Sequence, residues 1–104
     1  MKTTTIHDQA YELYTWKEFG EHVFEIAKQI VEHGDQFDRI VALAKGGTAI
    51  VRPIADLCGI KELSSIQIEF YTSIEKTART PVITQSLPVK LKDERVLIID
   101  DVAD

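Results

Sequence analysis

Phe19, Val23, Ile26, Ala27 and Ile30 return at intervals of three and four, the period of one helix face, while Glu21, Glu25, Lys28 and Glu32 fall largely on the other. Thr15-Trp16-Lys17-Glu18 stands ahead of this run in the Thr-x-x-Glu form of a capping box, in which two side chains satisfy free backbone donors reciprocally. Gly34 follows the last periodic position and tolerates the left-handed conformation that ends helices. The pattern predicts a helix over 16–33 with a solvated acidic face.

The rhythm then changes. Residues 39–44, Arg39-Ile40-Val41-Ala42-Leu43-Ala44, are short, almost all apolar and partly β-branched, as in strands covered on both faces. Lys45-Gly46-Gly47 interrupts them, and 48–57 reads as a second helix closed by Gly59. Pro53 removes a donor inside that helix and crowds the preceding turn, so a late start or a kink is expected. Residues 65–71 alternate strictly, predicting a strand with one more polar face.

Residues 72–88 are rich in Thr and Ser, carry Lys76 and Arg79, and include prolines at 81 and 88. A long stretch without periodicity points to a mobile or functional loop, with a short strand at 82–84. A turn at 92–94 leads into a buried-strand pattern at 95–99, which runs into Asp100-Asp101-Val102-Ala103-Asp104. Helix, strand, helix, strand, loop, strand is the order of an α/β fold with a mainly parallel sheet flanked by helices. Right-handed crossovers place any site along the edge where the strands end.

Composition narrows the function classes. At 104 residues the chain fits one domain, and 44% hydrophobic residues suffice for a core. Twelve basic against 17 acidic residues give a net charge of −5, so no nucleic-acid footprint is expected. Residues 1–38 carry that imbalance, with eight acids and three bases, while 39–104 hold nine of each. No apolar run exceeds five residues, which excludes a transmembrane helix and gives no reason to expect a membrane partner. The first residues lack the apolar stretch of a secretory signal, and a lone Cys58 forms no internal disulfide, so a reducing, cytoplasmic setting is expected. His7, His22 and His33 make no metal site: His22 and His33 share a helix face but stand about 16 Å apart at about 1.5 Å per residue. Cys58 reads as a core filler, Tyr14 and Trp16 as packing at the start of the helix, and Arg52 with Asp56 as a surface pair at four-residue spacing.

Two features carry candidate chemistry. The glycines of Lys45-Gly46-Gly47 let backbone amides approach an anion, and the helix start behind them adds a favourable partial charge. Equally, strand-Gly-Gly-helix turns are common as plain structure. Asp100 and Asp101 follow four apolar residues, with Asp104 shortly beyond. Adjacent carboxylates repel, so they are placed together to bind hydroxyls or a cation, or where water solvates both. The strand ahead would hold them at a fixed point of the sheet edge.

The run Val96-Leu97-Ile98-Ile99-Asp100-Asp101-Val102-Ala103-Asp104 resembles the diphosphoribosyl-binding signature of type I phosphoribosyltransferases, an apolar strand followed by two acids, two variable residues and Asp-Thr-Gly-x-Thr. Ala42-Leu43-Ala44-Lys45-Gly46-Gly47 resembles that family's pyrophosphate loop. Phe70-Tyr71, the basic loop around Lys76 and Arg79, and the helix opened by Thr15-Trp16 are similar to the purine branch, in its xanthine-guanine/hypoxanthine and archaeal-like members. The likeness covers about the whole of 15–104.

This resemblance implies a Rossmann-like phosphoribosyltransferase fold and the exchange of pyrophosphate for a purine base on phosphoribosyl diphosphate, with Mg²⁺ as cofactor. Lys45, Gly46 and Gly47 would hold the pyrophosphate, with a cis peptide expected near Ala44-Lys45. Asp100 and Asp101 would meet the ribose hydroxyls, directly or through the metal, and Asp104 would be the catalytic proton-transfer group near N7 of the base. Lys76 and Arg79 would belong to a flexible loop closing over the diphosphate. The sequence stops inside the motif, before Thr-Gly-x-Thr, so a truncated domain, inactive by itself, is expected. Strand 95–99 would lack its following helix, and the exposed apolar surface makes a homo-oligomer the expected state.

Two other classes compete. A non-catalytic relative would bind phosphoribosyl diphosphate or a nucleotide and regulate something else, although such a sensor has no need of Asp104. A receiver domain also pairs acids at a strand end, but places them near its start with further signature residues after them, and here nothing follows.

Overall fold

The computed structural model of the protein describes residues 2–71 and 80–102. Its elements are β1 (Thr3–Ile6), β2 (Gln9–Glu12), α1 (Trp16–His33), β3 (Arg39–Ala44), α2 (Thr48–Cys58), β4 (Glu62–Tyr71), β5 (Thr80–Gln85) and β6 (Val96–Ile99). The main sheet has the order β5-β4-β3-β6, with β3 parallel to both β4 and β6 and β5 antiparallel on β4. The expected mainly parallel α/β architecture is therefore present, with one antiparallel edge.

α1 forms where the periodicity places it. Thr15 Oγ1 accepts from the Glu18 amide at 3.1 Å, and Gly34 closes the helix in the left-handed region at φ 87°. This is the Thr15 half of the expected capping box. Val23 and Ala27 are buried, and Phe19 and Ile30 pack beside them. Ile26, expected on the same face, is 41% exposed because the helix turns the Val23–Ala27 line, not its flank, towards the sheet.

α2 runs through Pro53 from Thr48, so the expected late start does not occur. Val51, Ile54 and Ala55 anchor it in the core, which offsets the backbone bond that proline cannot make. Ile40 of β3 and Ile54 of α2 are fully buried against each other's cluster. Burying a side chain of that size contributes about 1.5–3 kcal/mol, so these two positions are central to holding α2 on the sheet.

Three elements depart from the expected boundaries. β4 starts at Glu62, three residues before the alternating run, and β5 spans Thr80–Gln85, longer than the expected 82–84. The third is a separate hairpin, β1 on β2, which pairs Thr3 with Glu12 and Ile6 with Gln9. Its turn residues His7 and Asp8 both have positive φ, 51° and 61°, the two-residue geometry that matches strand twist.

At the far end from the strand termini, Arg39 is only 8% exposed. Its Nε donates to Glu94 Oε2 at 2.9 Å, its second terminal nitrogen to Glu94 Oε1 at 3.3 Å, and Nη1 to Ser64 Oγ at 2.9 Å. The fork of the guanidinium matches the carboxylate plane, and the Glu94 hydrogen bond is the leading reason that the Arg39 pKa is raised.

Candidate functional site at the strand-end rim

β3 and β6 are parallel neighbours, with Ala42 opposite Ile99, so their carboxyl ends reach the same rim. Beyond β3 the chain turns sharply. The Ala44-Lys45 peptide is cis, as expected, Gly47 N–H donates to Leu43 O at 2.8 Å and Thr48 N–H donates to Lys45 O at 3.1 Å. Gly47 occupies the N-cap of α2 without a side-chain cap, and backbone carbonyls of the turn take the Thr48 and Ile50 amides, so the start of α2 faces the rim with its N-terminal partial charge.

Beyond β6, Asp100 and Asp101 are exposed. Asp100 Oδ1 accepts from the Asp101 amide, and Asp101 Oδ1 from the Val102 amide, both at 2.8 Å. The two corners touch. A Cβ on Gly46 would overlap the Asp101 carboxylate, whose Oδ2 would stand 2.8 Å from it. A Cβ on Gly47 would collide with the Ile99 carbonyl oxygen and lie 3.2 Å from Leu43 N. Both glycines are thus required by close approach and not by a positive φ.

The structure therefore brings Lys45, Gly46, Gly47, Asp100 and Asp101 to one rim, with Lys45 exposed. Asp104, Lys76 and Arg79 lie outside the described residues. β4 passes this rim, since Gln67 pairs with Ala44 and the strand continues to Tyr71.

Beside Gly46 and Asp101 opens a largely apolar groove of about 650 Å³, walled by Tyr14, Phe19, His22, Ile26 and Ile50. Tyr14 stacks on His22 with ring centroids 5.5 Å apart, and its hydroxyl hydrogen-bonds the His22 Nδ1. Sequence reasoning placed Tyr14 in packing and His22 on a plain surface, and nothing in their spacing signals that they flank the rim. Among the described residues no cluster of three or more His, Cys, Asp or Glu could hold a metal by itself.

The sequence matches the family described as Pribosyltran, phosphoribosyl transferase domain, over residues 9–104. No curated protein matches it. Among solved structures, purine phosphoribosyltransferase from Pyrococcus horikoshii Ot3 is 30% identical, with a TM-score of 0.69 over 84% of this chain and 54% of its own. A hypothetical protein from Neisseria gonorrhoeae with bound ppGpp is 22% identical, with a TM-score of 0.67 over 84% of this chain and 52% of its own. Xanthine-guanine-hypoxanthine phosphoribosyltransferase of Helicobacter pylori is 16% identical, with a TM-score of 0.63 and the same two coverages, 84% and 52%. The last two likenesses concern the fold, and the chain spans about half the length of all three. With the diglycine turn and the acid pair joined at one rim, and the match running over nearly the whole sequence, the chain belongs to the phosphoribosyl transferase domain family.

Proposed function

We propose that this domain serves transfer of the phosphoribosyl group from phosphoribosyl diphosphate to a purine base, releasing pyrophosphate, as in the xanthine-guanine/hypoxanthine and archaeal-like branch. The observation that carries the reading is the contact between Gly46 and Asp101, which joins an amide-rich anion seat to a carboxylate corner. The 30% identity to the Pyrococcus horikoshii purine enzyme supports the choice of base class.

On this reading, the turn Lys45-Gly46-Gly47 binds the leaving diphosphate, with the Lys45 and Gly46 amides as donors, the Gly47 amide holding the turn through Leu43 O, and the exposed Lys45 ammonium adding a point charge. Asp100 and Asp101 hold the ribose hydroxyls, each with one carboxylate oxygen engaged by a backbone amide and therefore fixed in direction. Such preorganised groups act on a transition state with oxocarbenium character through position and charge. Asp104 moves a proton at N7 of the base, and Lys76 and Arg79 close over the diphosphate.

Mg²⁺ fits the donor chemistry of this corner. It is commonly bound by one or two carboxylates together with substrate phosphates, and Asp100 and Asp101 offer that set. When bound it supplies charge neutralisation on the diphosphate oxygens. The chain spans about half the length of the solved structures it resembles, and the 104 residues alone are proposed to bind diphosphate without turning over.

Amide spectra of the ¹⁵N-labelled chain, titrated with pyrophosphate and Mg²⁺, test the reading. Shifts at residues 45–48 and 100–102 are expected, and unmoved Gly46 and Asp101 resonances would overturn it. The ppGpp held by the Neisseria gonorrhoeae protein favours testing a second reading, a non-catalytic nucleotide-binding module. Shifts with ppGpp and none with phosphoribosyl diphosphate would select that reading. Nucleoside monophosphate formed above a no-protein blank would refute the proposed inactivity of the 104 residues alone.

A further inference from the structure

We infer that Arg39 and Glu94 are positioning residues for the rim: their ion pair, at the opposite end of the sheet, sets the register in which β6 delivers Asp101 against Gly46. The inference rests on the proposed role of that corner for its functional meaning, but its structural content stands independently.

Among the described residues β6 is a four-residue edge strand, paired with β3 alone. Few ladder bonds hold it, so its register depends on what fixes its start. That start is fixed heavily. Asp38 N–H and Arg39 N–H both donate to Arg95 O, at 2.8 and 3.4 Å, and Arg95 N–H returns to Asp38 Oδ2 at 2.8 Å. The Arg39 guanidinium then grips Glu94, the residue just before, with two hydrogen bonds while holding Ser64 of β4 with a third. Arg95 Nη2 adds an exposed pair with Asp35 at 3.2 Å.

The other end tolerates no slack. A slip of one residue moves a strand by about 3.3 Å and turns each side chain to the opposite face. Asp101 already sits in contact with Gly46, and the Ile99 carbonyl in contact with Gly47. Any relaxation of β6 relative to β3 must therefore change how Asp101 meets the turn. Arg39 spans β3, β4 and the approach to β6 with one rigid fork, and its near-complete burial leaves it no role with solvent or ligand.

The test uses the full 104-residue chain with Glu94→Gln, which keeps the shape and removes the charge, and with Arg39→Lys, which keeps the charge and removes the fork. Ile54→Val serves as a control that costs stability in the core without touching the clamp. Amide spectra are read without ligand. In both clamp variants, resonances of Gly46, Gly47 and Asp101 are expected to move, and hydrogen exchange at Ile98 and Ile99 to accelerate at least tenfold. The control should leave the rim resonances in place. Pyrophosphate affinity with Mg²⁺ should fall several-fold in the clamp variants alone.

Rim resonances unchanged in folded Glu94→Gln and Arg39→Lys would overturn the inference, as would equal movement in Ile54→Val. Unfolding of both clamp variants would also overturn it, by making the pair a general requirement of the fold. Absence of pyrophosphate binding in the unaltered chain, with rim shifts in the variants, would instead count against the proposed function and leave the positioning role supported.

Discussion

Asp101 lies so close to Gly46 that the glycine's missing side chain is the space its carboxylate occupies. This single contact makes the acid corner and the diglycine turn one structure. Neither half can be altered sterically without displacing the other.

Gly46→Ala tests this directly. The added methyl meets a side-chain carboxylate that can swing away, so the fold should survive with a loss of about 1–3 kcal/mol, in the range of overpacking. Urea denaturation measures that loss. Binding of pyrophosphate with Mg²⁺ should fall by about tenfold or more, which calorimetry checks. Gly47→Ala should be worse for stability, because its methyl meets the Ile99 backbone, which has no rotamer to escape into.

Ile54→Ala removes a fully buried side chain from the contact between α2 and the sheet. Large-to-small changes of this kind cost about 2–5 kcal/mol, enough to remove a large share of a small domain's stability. The urea midpoint should drop accordingly. Ile98→Ala, at a 61% exposed position, should leave the midpoint nearly unchanged.

Cys58 gives a pH dependence. Burial raises its pKa, with Sγ 3.8 Å from the Ala27 carbonyl oxygen. Folding therefore favours the neutral thiol over the thiolate. The resulting stability is fully present below the thiol's unfolded pKa, about 8.5, and is lost as pH rises through the higher folded value. Melting curves of the unaltered chain and Cys58→Ala, compared from pH 7 to pH 10, should converge as pH rises. Alkylation of Cys58 at pH 8 should be slower than that of a free thiol.

Self-association is expected at the β6 edge, which no other strand covers among the described residues. Ile98 is 61% exposed and Val102 66%, on an edge strand and just beyond it. An apolar unpaired edge is a template for another chain. Sedimentation should show a concentration-dependent rise in mass, and Ile98→Lys should suppress it. A monomer at all concentrations would refute this expectation.

How much of this was legible depended on whether the signal was local. α1 was legible because one apolar face, one cap and one terminal glycine all agree over a short span. β3, α2 and β6 were legible from compact apolar runs, and the rim followed because parallel strands bring their ends together. The β1–β2 hairpin was not, because His7-Asp8 fills positive-φ turn positions that Asn-Gly ordinarily marks. Nor was the orientation of β5, since its antiparallel course depends on Glu69 pairing with Val82 across a long connection. The Tyr14–His22 wall escaped because Tyr14 precedes the helix, outside the periodicity that organises its neighbours.

The strand order also bears on how the molecule assembles in time. β3 meets β4 through Arg39 and Glu62, but meets β6 through Arg39 and Val96, much farther along the chain. Closing the longer loop costs more chain entropy, by roughly 0.8 kcal/mol on logarithmic scaling, before any ladder bond compensates. Parallel pairings of this separation form slowly. The helix-covered β3–β4 unit is therefore expected to form first, and the carboxylate corner to arrive later, onto a glycine turn already built.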